Sequence, residues 1–254
     1  MIVPPLFVAV AAGAALQSAT GFGFGLLAAP ILFAVIDPQP AIGLLAVLGL
    51  TVNLLTLLTE GRTPRPLGRE AAILVGCAVP GALLGVVVLR SLDAVALQVM
   101  LSVGVIATLV VRHVLATPQA VVPVLHDGPR PRPAWSAPLA GLLSGALSTS
   151  TSTSGPPLLL HLLGRGARPS VVRDTLTVCF LGLGLITPIA LVVTRSTEAV
   201  PDATLAAVLV PAVVLGHLSG RRVFARLAHG PHYELVVTIA LLASVALGLV
   251  NVLA

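Results

Sequence analysis

Ser148-Thr149-Ser150-Thr151-Ser152-Thr153-Ser154-Gly155-Pro156-Pro157 is the stretch whose reading decides the fold. It lies between two apolar flanks, 138–147 and 158–163, and the first Asp, Glu, Lys or Arg after it is Arg165. An ordinary membrane helix does not place seven consecutive hydroxyl side chains and a Gly-Pro-Pro break near its middle. Irregular backbone at membrane depth is tolerated only where protein buries it or it lines a cavity. The run therefore predicts a helix that opens and holds something polar.

The composition around it supports a membrane setting. Mean hydropathy is +1.07, and only 9% of residues are charged, against about 25% in soluble domains. The apolar runs are continuous rather than alternating over ~10 residues, which excludes a barrel. The fold class is an all-α polytopic membrane protein. Cys77 and Cys179 sit inside apolar runs without metal-ligand spacing, so they read as packing residues, and no metal or cofactor is expected. The formal charge of +5 comes from arginine alone. These arginines fall in short loops, where they set topology rather than bind nucleic acid. The N-terminal stretch lacks a basic region and continues into further membrane sequence, so it is expected to stay in the mature chain.

Apolar stretches fall near 2–36, 39–59, 70–90, 93–111, 135–163, 170–194, 200–219 and 233–254. A single crossing needs about 20 residues, and the first and fifth stretches are too long for one. The fifth is interrupted by the hydroxyl run. The first is interrupted by Gln17-Ser18-Ala19-Thr20-Gly21-Phe22-Gly23-Phe24-Gly25. Each half thus opens with a broken segment followed by three plain ones, which predicts a duplication: residues 1–113, a linker at 114–134, and residues 135–254. Gly81 and Gly85 correspond to Gly216 and Gly220 in this alignment of halves, and these spaced glycines read as helix-packing positions.

Arginine clusters separate segments two and three (Arg62, Arg65, Arg69), four and five (Arg112, Arg130, Arg132), five and six (Arg165, Arg168, Arg173), and seven and eight (Arg221, Arg222, Arg226). With these loops cytoplasmic, segment five begins and ends on the cytoplasmic side, as a hairpin. Segment one, by analogy, begins and ends outside, so the halves are inverted. Inverted repeats with broken helices meeting at midplane recur in secondary transporters. Eight plain crossings with parallel halves would put at least one arginine cluster on the wrong side.

In such a hairpin the returning arm presents its helix N-terminus to the membrane interior, with free N–H groups and the positive end of the dipole. Ser154 or Gly155 suits the N-cap and Pro156 the first turn. Gly21, Gly23 and Gly25 let backbone N–H groups approach a ligand, while Phe22 and Phe24 either stack on it or plug the tip. Together with hydroxyls from Thr20, Thr149, Thr151, Ser152, Thr153 and Ser154, this makes an anion site without any intramembrane arginine. Gln17 belongs to the first break. Asn53 is a lone amide at membrane depth, either capping a partner helix or touching substrate. His161 follows the second break and is a candidate proton relay or a structural histidine. Arg173, Asp174 and Thr175 open segment six as a gate or an interface anchor.

Ala19-Thr20-Gly21-Phe22-Gly23-Phe24-Gly25-Leu26-Leu27-Ala28-Ala29-Pro30 resembles the glycine-rich first signature of the sulfite exporter TauE/SafE family. Ser154-Gly155-Pro156-Pro157-Leu158-Leu159-Leu160-His161, followed by Arg173-Asp174-Thr175-Leu176, resembles its second signature. The likeness extends over essentially the whole chain. It departs in carrying alternating serine and threonine where many members have more glycine. The resemblance implies a permease for small sulfur-containing anions (sulfite, sulfoacetate or related organosulfonates) in a bacterial inner membrane, in a form that allows a homodimer.

Two further classes compete with this expectation. A channel or a permease for another small anion, such as a carboxylate, uses the same donors. An intramembrane serine hydrolase would need Ser154 and His161 in mutual reach, but seven residues of helix separate them by roughly 10 Å. No nucleotide-binding Gly-x-x-x-x-Gly-Lys-Ser/Thr loop is present, so an ion or substrate gradient is expected to supply the energy.

Overall fold

The computed structural model describes residues 3–59, 61, 63–116, 133–165, 169–227 and 246, with backbone alone for 111–116, 169 and 223–227. The eighth apolar stretch (233–254) apart from residue 246, most of the 114–134 linker, Arg62, Arg130, Arg132 and Arg168, and the side chains of Arg112 and Arg226, lie outside the described residues. Among the described residues there is no strand. The helices are α1 (Val3–Thr20), α2 (Phe24–Val35), α3 (Pro38–Thr59), α4 (Gly68–Ser91), α5 (Ala94–Ala116), α6 (Ser136–Ser150), α7 (Gly155–Gly164), α8 (Pro169–Val193) and α9 (Ala203–Leu227). Among the described residues, five helical stretches are long and apolar enough to cross a membrane by length and composition. Large apolar side chains such as Val79, Leu83 and Val87 of α4 face outward. That is the expected arrangement where lipid replaces water around a bundle.

The first and fifth segments are both broken. α1 stops at Thr20, whose hydroxyl bonds the carbonyls of Leu16 (2.9 Å) and Phe22 (2.5 Å). Gly21 follows at φ 85, and its N–H closes on the Gln17 carbonyl at 2.7 Å, a left-handed helix end. α6 stops at Ser150, and the chain turns through Ser152 at φ 58 before α7 begins. Only Thr151–Ser154 of the hydroxyl run is therefore non-helical. Thr149 and Ser150 remain helical, and their hydroxyls are satisfied there by folding back on the carbonyls of Gly145 (3.3 Å) and Ala146 (2.7 Å).

Side-by-side contacts fix the helix directions. A Cβ on Gly141 would strike the Leu74 carbonyl, and one on Gly145 the Ala78 carbonyl, while the Thr149 hydroxyl bonds the Ala82 carbonyl at 2.8 Å. The paired numbers rise together, so α4 and α6 run parallel with their backbones in contact. α9 meets α1 in the same way: Gly216 sits on Ala11 and Gly220 on Ala15. On α4, Gly81 sits on Leu142 and Gly85 on Ala146, with the same four-residue step. Small residues allow this close approach, and dispersion between the touching backbones holds the pairs together.

α7 returns to the end of the bundle where α6 began. His161 in its last turn and Arg165 just beyond it both bond Glu70 in the first turn of α4. The start of α8 lies at that end as well, since Asp174 accepts the Arg65 N–H (2.8 Å) and Thr175 the Leu67 N–H (3.0 Å). At the other end Arg90 donates to the Thr194 carbonyl at 2.7 Å. There too Asp37, which follows α2, lies among Asp93 and Glu198. α6–α7 and α1–α2 are thus two hairpins, whose outer ends lie at opposite ends of the bundle.

Candidate functional site

The two hairpin tips touch. A Cβ on Gly25 would overlap the Ser152 carbonyl, and the Phe22 ring packs 3.5 Å from where a Gly155 Cβ would sit. Beside this junction a cavity opens between the starts of α2 and α7 and the middles of α3 and α8. Its space is about 70 Å³. Since a cavity needs roughly 10–15 Å³ by this measure to hold one water, it admits a few waters or a small oxyanion. The lining comprises neutral polar groups (Gln17, Asn53, Ser148, Ser152, Thr153, Ser154 and Thr187) with Phe24 and Phe180 as aromatic walls. No formally charged residue lines it among the described residues.

Each polar group is set by local structure. The Gln17 side chain reaches from α1 to cap α2: its Oε1 accepts the Phe24 N–H at 3.3 Å. Its Nε2 donates to Asn53 Oδ1 at 2.7 Å, and Asn53 Nδ2 donates to the Gly49 carbonyl at 2.9 Å. This relay ties α1, α2 and α3 together, so Asn53 supports the cap through Gln17 while also lining the cavity. The first intrahelical bond of α2 runs from Leu27 to Gly23. The N–H groups of Gly25 and Leu26 precede it and lack an intrahelical acceptor.

The second tip works differently. Ser154 occupies the N-cap position of α7 but forms no cap bond. An N-cap oxygen accepts from the second or third helical N–H, and here those residues are Pro156 and Pro157, which have none. The Ser154 hydroxyl, like that of Ser152, has no partner among the described residues and remains available to the cavity. Thr153 shares a 2.7 Å hydrogen bond with Thr151, and Ser148 one of 2.8 Å with Thr187.

Of the residues expected at the site, Gln17, Gly23, Phe24, Gly25, Asn53, Ser152, Thr153, Ser154 and Gly155 line the cavity. Thr20, Gly21, Phe22, Thr149, Thr151 and Pro156 shape the tips around it without lining it. Phe22 plugs its hairpin tip, whereas Phe24 is a wall. His161 stands away from the cavity, bonded to Glu70 at 2.9 Å, and Ser154 lies at the opposite end of α7. The serine–histidine pair a hydrolase requires is therefore not assembled from these two. Arg173 reaches Gly21 and the Ser18 carbonyl (3.5 Å), while Asp174 and Thr175 anchor the loop before α4. His217 is buried between Ser18 (2.7 Å) and Thr59 (2.8 Å), where it joins α9 to α1 and α3.

Thr187, Phe180, Gly49 and Gly184 also line the cavity and were not expected from sequence. The only local signal among them is Thr187, a hydroxyl directly before Pro188 in the apolar second half of α8.

No curated protein and no solved structure matches the chain significantly. The family model described as Sulfite exporter TauE/SafE matches residues 6–247, nearly the full length, and the chain belongs to that family.

Proposed function

We propose that this multi-pass membrane protein is a secondary transporter of small sulfur-containing anions, such as sulfite, sulfoacetate or related organosulfonates. Its site is the chamber between the hairpin tips, and it works by alternating access in a bacterial inner membrane. The observation that carries the reading is the convergence of two helix N-termini on one small cavity lined by neutral hydrogen-bond donors. Helix N-termini favour negative charge. An anion held without a buried counter-charge can also leave again, which transport requires. A cation would meet the wrong ends of both helix dipoles.

The opposed hairpins support inverted halves, 1–113 and 135–254, each supplying one tip. The shared glycine register of α4 on α6 and α9 on α1 supports the same duplication. Family membership supports transport rather than catalysis.

The test is flux from proteoliposomes loaded with labelled sulfite, sulfoacetate, acetate or a monovalent cation. Saturable flux of the sulfur anions in preference to acetate is expected, with none of the cation. Cation flux exceeding anion flux would overturn the reading, and preference for acetate would transfer it to carboxylates.

A further inference from the structure

We propose that Glu70 and His161 form a proton-binding site that couples proton movement to the anion cycle. The proposal rests on the transport reading above and deepens it. His161 is buried to 3% exposure on α7, and its Nε2 lies 2.9 Å from Glu70 Oε2. The other Glu70 oxygen bonds Arg165, which offsets the carboxylate charge. His161 Nδ1 is buried and has no hydrogen-bond partner among the described residues. With Nε2–H donated to Glu70, the unpaired Nδ1 is a vacant proton acceptor.

Ionisable groups within a membrane protein are costly and concentrate at ion paths and proton relays. Histidine is the side chain that ordinarily changes charge between pH 5 and 8. Among the described residues, the charged groups around the pair are Glu70 and its neighbour Arg69 on α4, and Arg165 just beyond α7. α6 carries no titratable residue, and on α8 Arg173 and Asp174 are directed to Ser18 and Arg65.

The coupling follows from where α7 sits. Gly155, at its start, lines the anion cavity, and His161 is six residues on, roughly 9 Å at 1.5 Å per residue. Glu70 and His161 face each other only while the end of α7 stays against α4. A shift of α7 that opens the cavity therefore also separates the pair that holds the proton and alters its occupancy. By linkage, proton occupancy changes anion affinity by the same factor.

Proteoliposomes with equal sulfoacetate on both sides and the membrane potential clamped at zero provide the test. Sulfoacetate is chosen because its charge is constant across the working pH range. In the wild type a pH difference of about one unit is expected to drive net sulfoacetate movement, up to about a tenfold ratio at one proton per anion. His161→Gln keeps a donor toward Glu70 but cannot titrate. It should retain downhill exchange and lose the pH-driven gradient, and Glu70→Gln should behave alike. Exchange without pH-driven movement in the wild type would overturn the coupling, as would pH-driven movement surviving in His161→Gln. If the wild type does not exchange sulfoacetate, the transport reading fails and the coupling proposal falls with it.

Discussion

Replacing Gly25 with alanine tests the contact on which the site is built. The added Cβ would lie 2.9 Å from the Ser152 carbonyl carbon and closer still to its oxygen. Carbon–oxygen contacts in proteins settle near 3.3–3.6 Å, so the two tips must separate by about 1.5 Å. Two effects oppose each other. Alanine favours a helix over glycine by at most about 1 kcal/mol, while overpacking against backbone costs about 1–3 kcal/mol. Net destabilisation of about 1–2 kcal/mol follows, because backbone on both sides leaves no side chain to swing away. The larger effect is on binding. A shift of that size removes about one hydrogen bond to a charged ligand, about 1.5–3 kcal/mol, so anion affinity should fall at least about tenfold. Sulfite or sulfoacetate titration, and flux from proteoliposomes normalised to inserted protein, provide the assay. The control is Gly76→Ala in α4, where an added Cβ meets nothing within 4 Å. That variant should bind normally and be equally or slightly more stable. Wild-type affinity and stability in Gly25→Ala would refute a site formed by touching hairpin tips.

The two classes of hydroxyl should separate on mutation. Ser154→Ala removes a cavity donor with no internal partner and is expected to lower anion affinity about tenfold, with melting temperature unchanged. Thr149→Val removes the bond to the Ala82 carbonyl and is expected to cost about 0.6–1.7 kcal/mol of stability with affinity unchanged. Single cysteines in a background without Cys77 and Cys179 test the opposed hairpins with a membrane-impermeant thiol reagent. Replacements of Trp135 and Arg165 should label from one face, and those of Pro5 and Asp37 from the other.

The breaks were legible in the sequence because they violate a rule strong enough to read directly. Seven hydroxyls in a row and three alternating glycines have no place in the middle of an apolar crossing unless backbone opens there. Their edges were less legible. Ser148 to Ser150 look like loop but remain helical, since each can satisfy its hydroxyl within the helix or on α8. Thr187, Phe180, Gly49 and Gly184 were illegible as site residues for a different reason. Each is a single residue in an apolar helix, and only the docking of α3 and α8 around the tips brings them to one cavity. His161 was drawn toward the site by its nearness in sequence to Gly155. Its partner Glu70 lies 91 residues away, and sequence spacing carries no trace of that pairing.

The same geometry accounts for the difference in composition between the two breaks. At the first tip, glycines bring the α2 start close, and the Gly25 and Leu26 amides precede the first intrahelical bond. Backbone donors are present there and few hydroxyls are needed. At the second tip, Pro156 and Pro157 fix the start of α7 but remove two of the N–H groups a helix start would otherwise present. Ser152 and Ser154 carry O–H groups where amides are missing, and among the described residues neither hydroxyl has a partner, Ser154 because it meets no N–H to cap. The alternating hydroxyl run is thus the counterpart of the proline pair. Proline at Gly25 would remove one of the first tip's own amide donors. An added hydroxyl would restore binding only if it pointed into the cavity between α3 and α8.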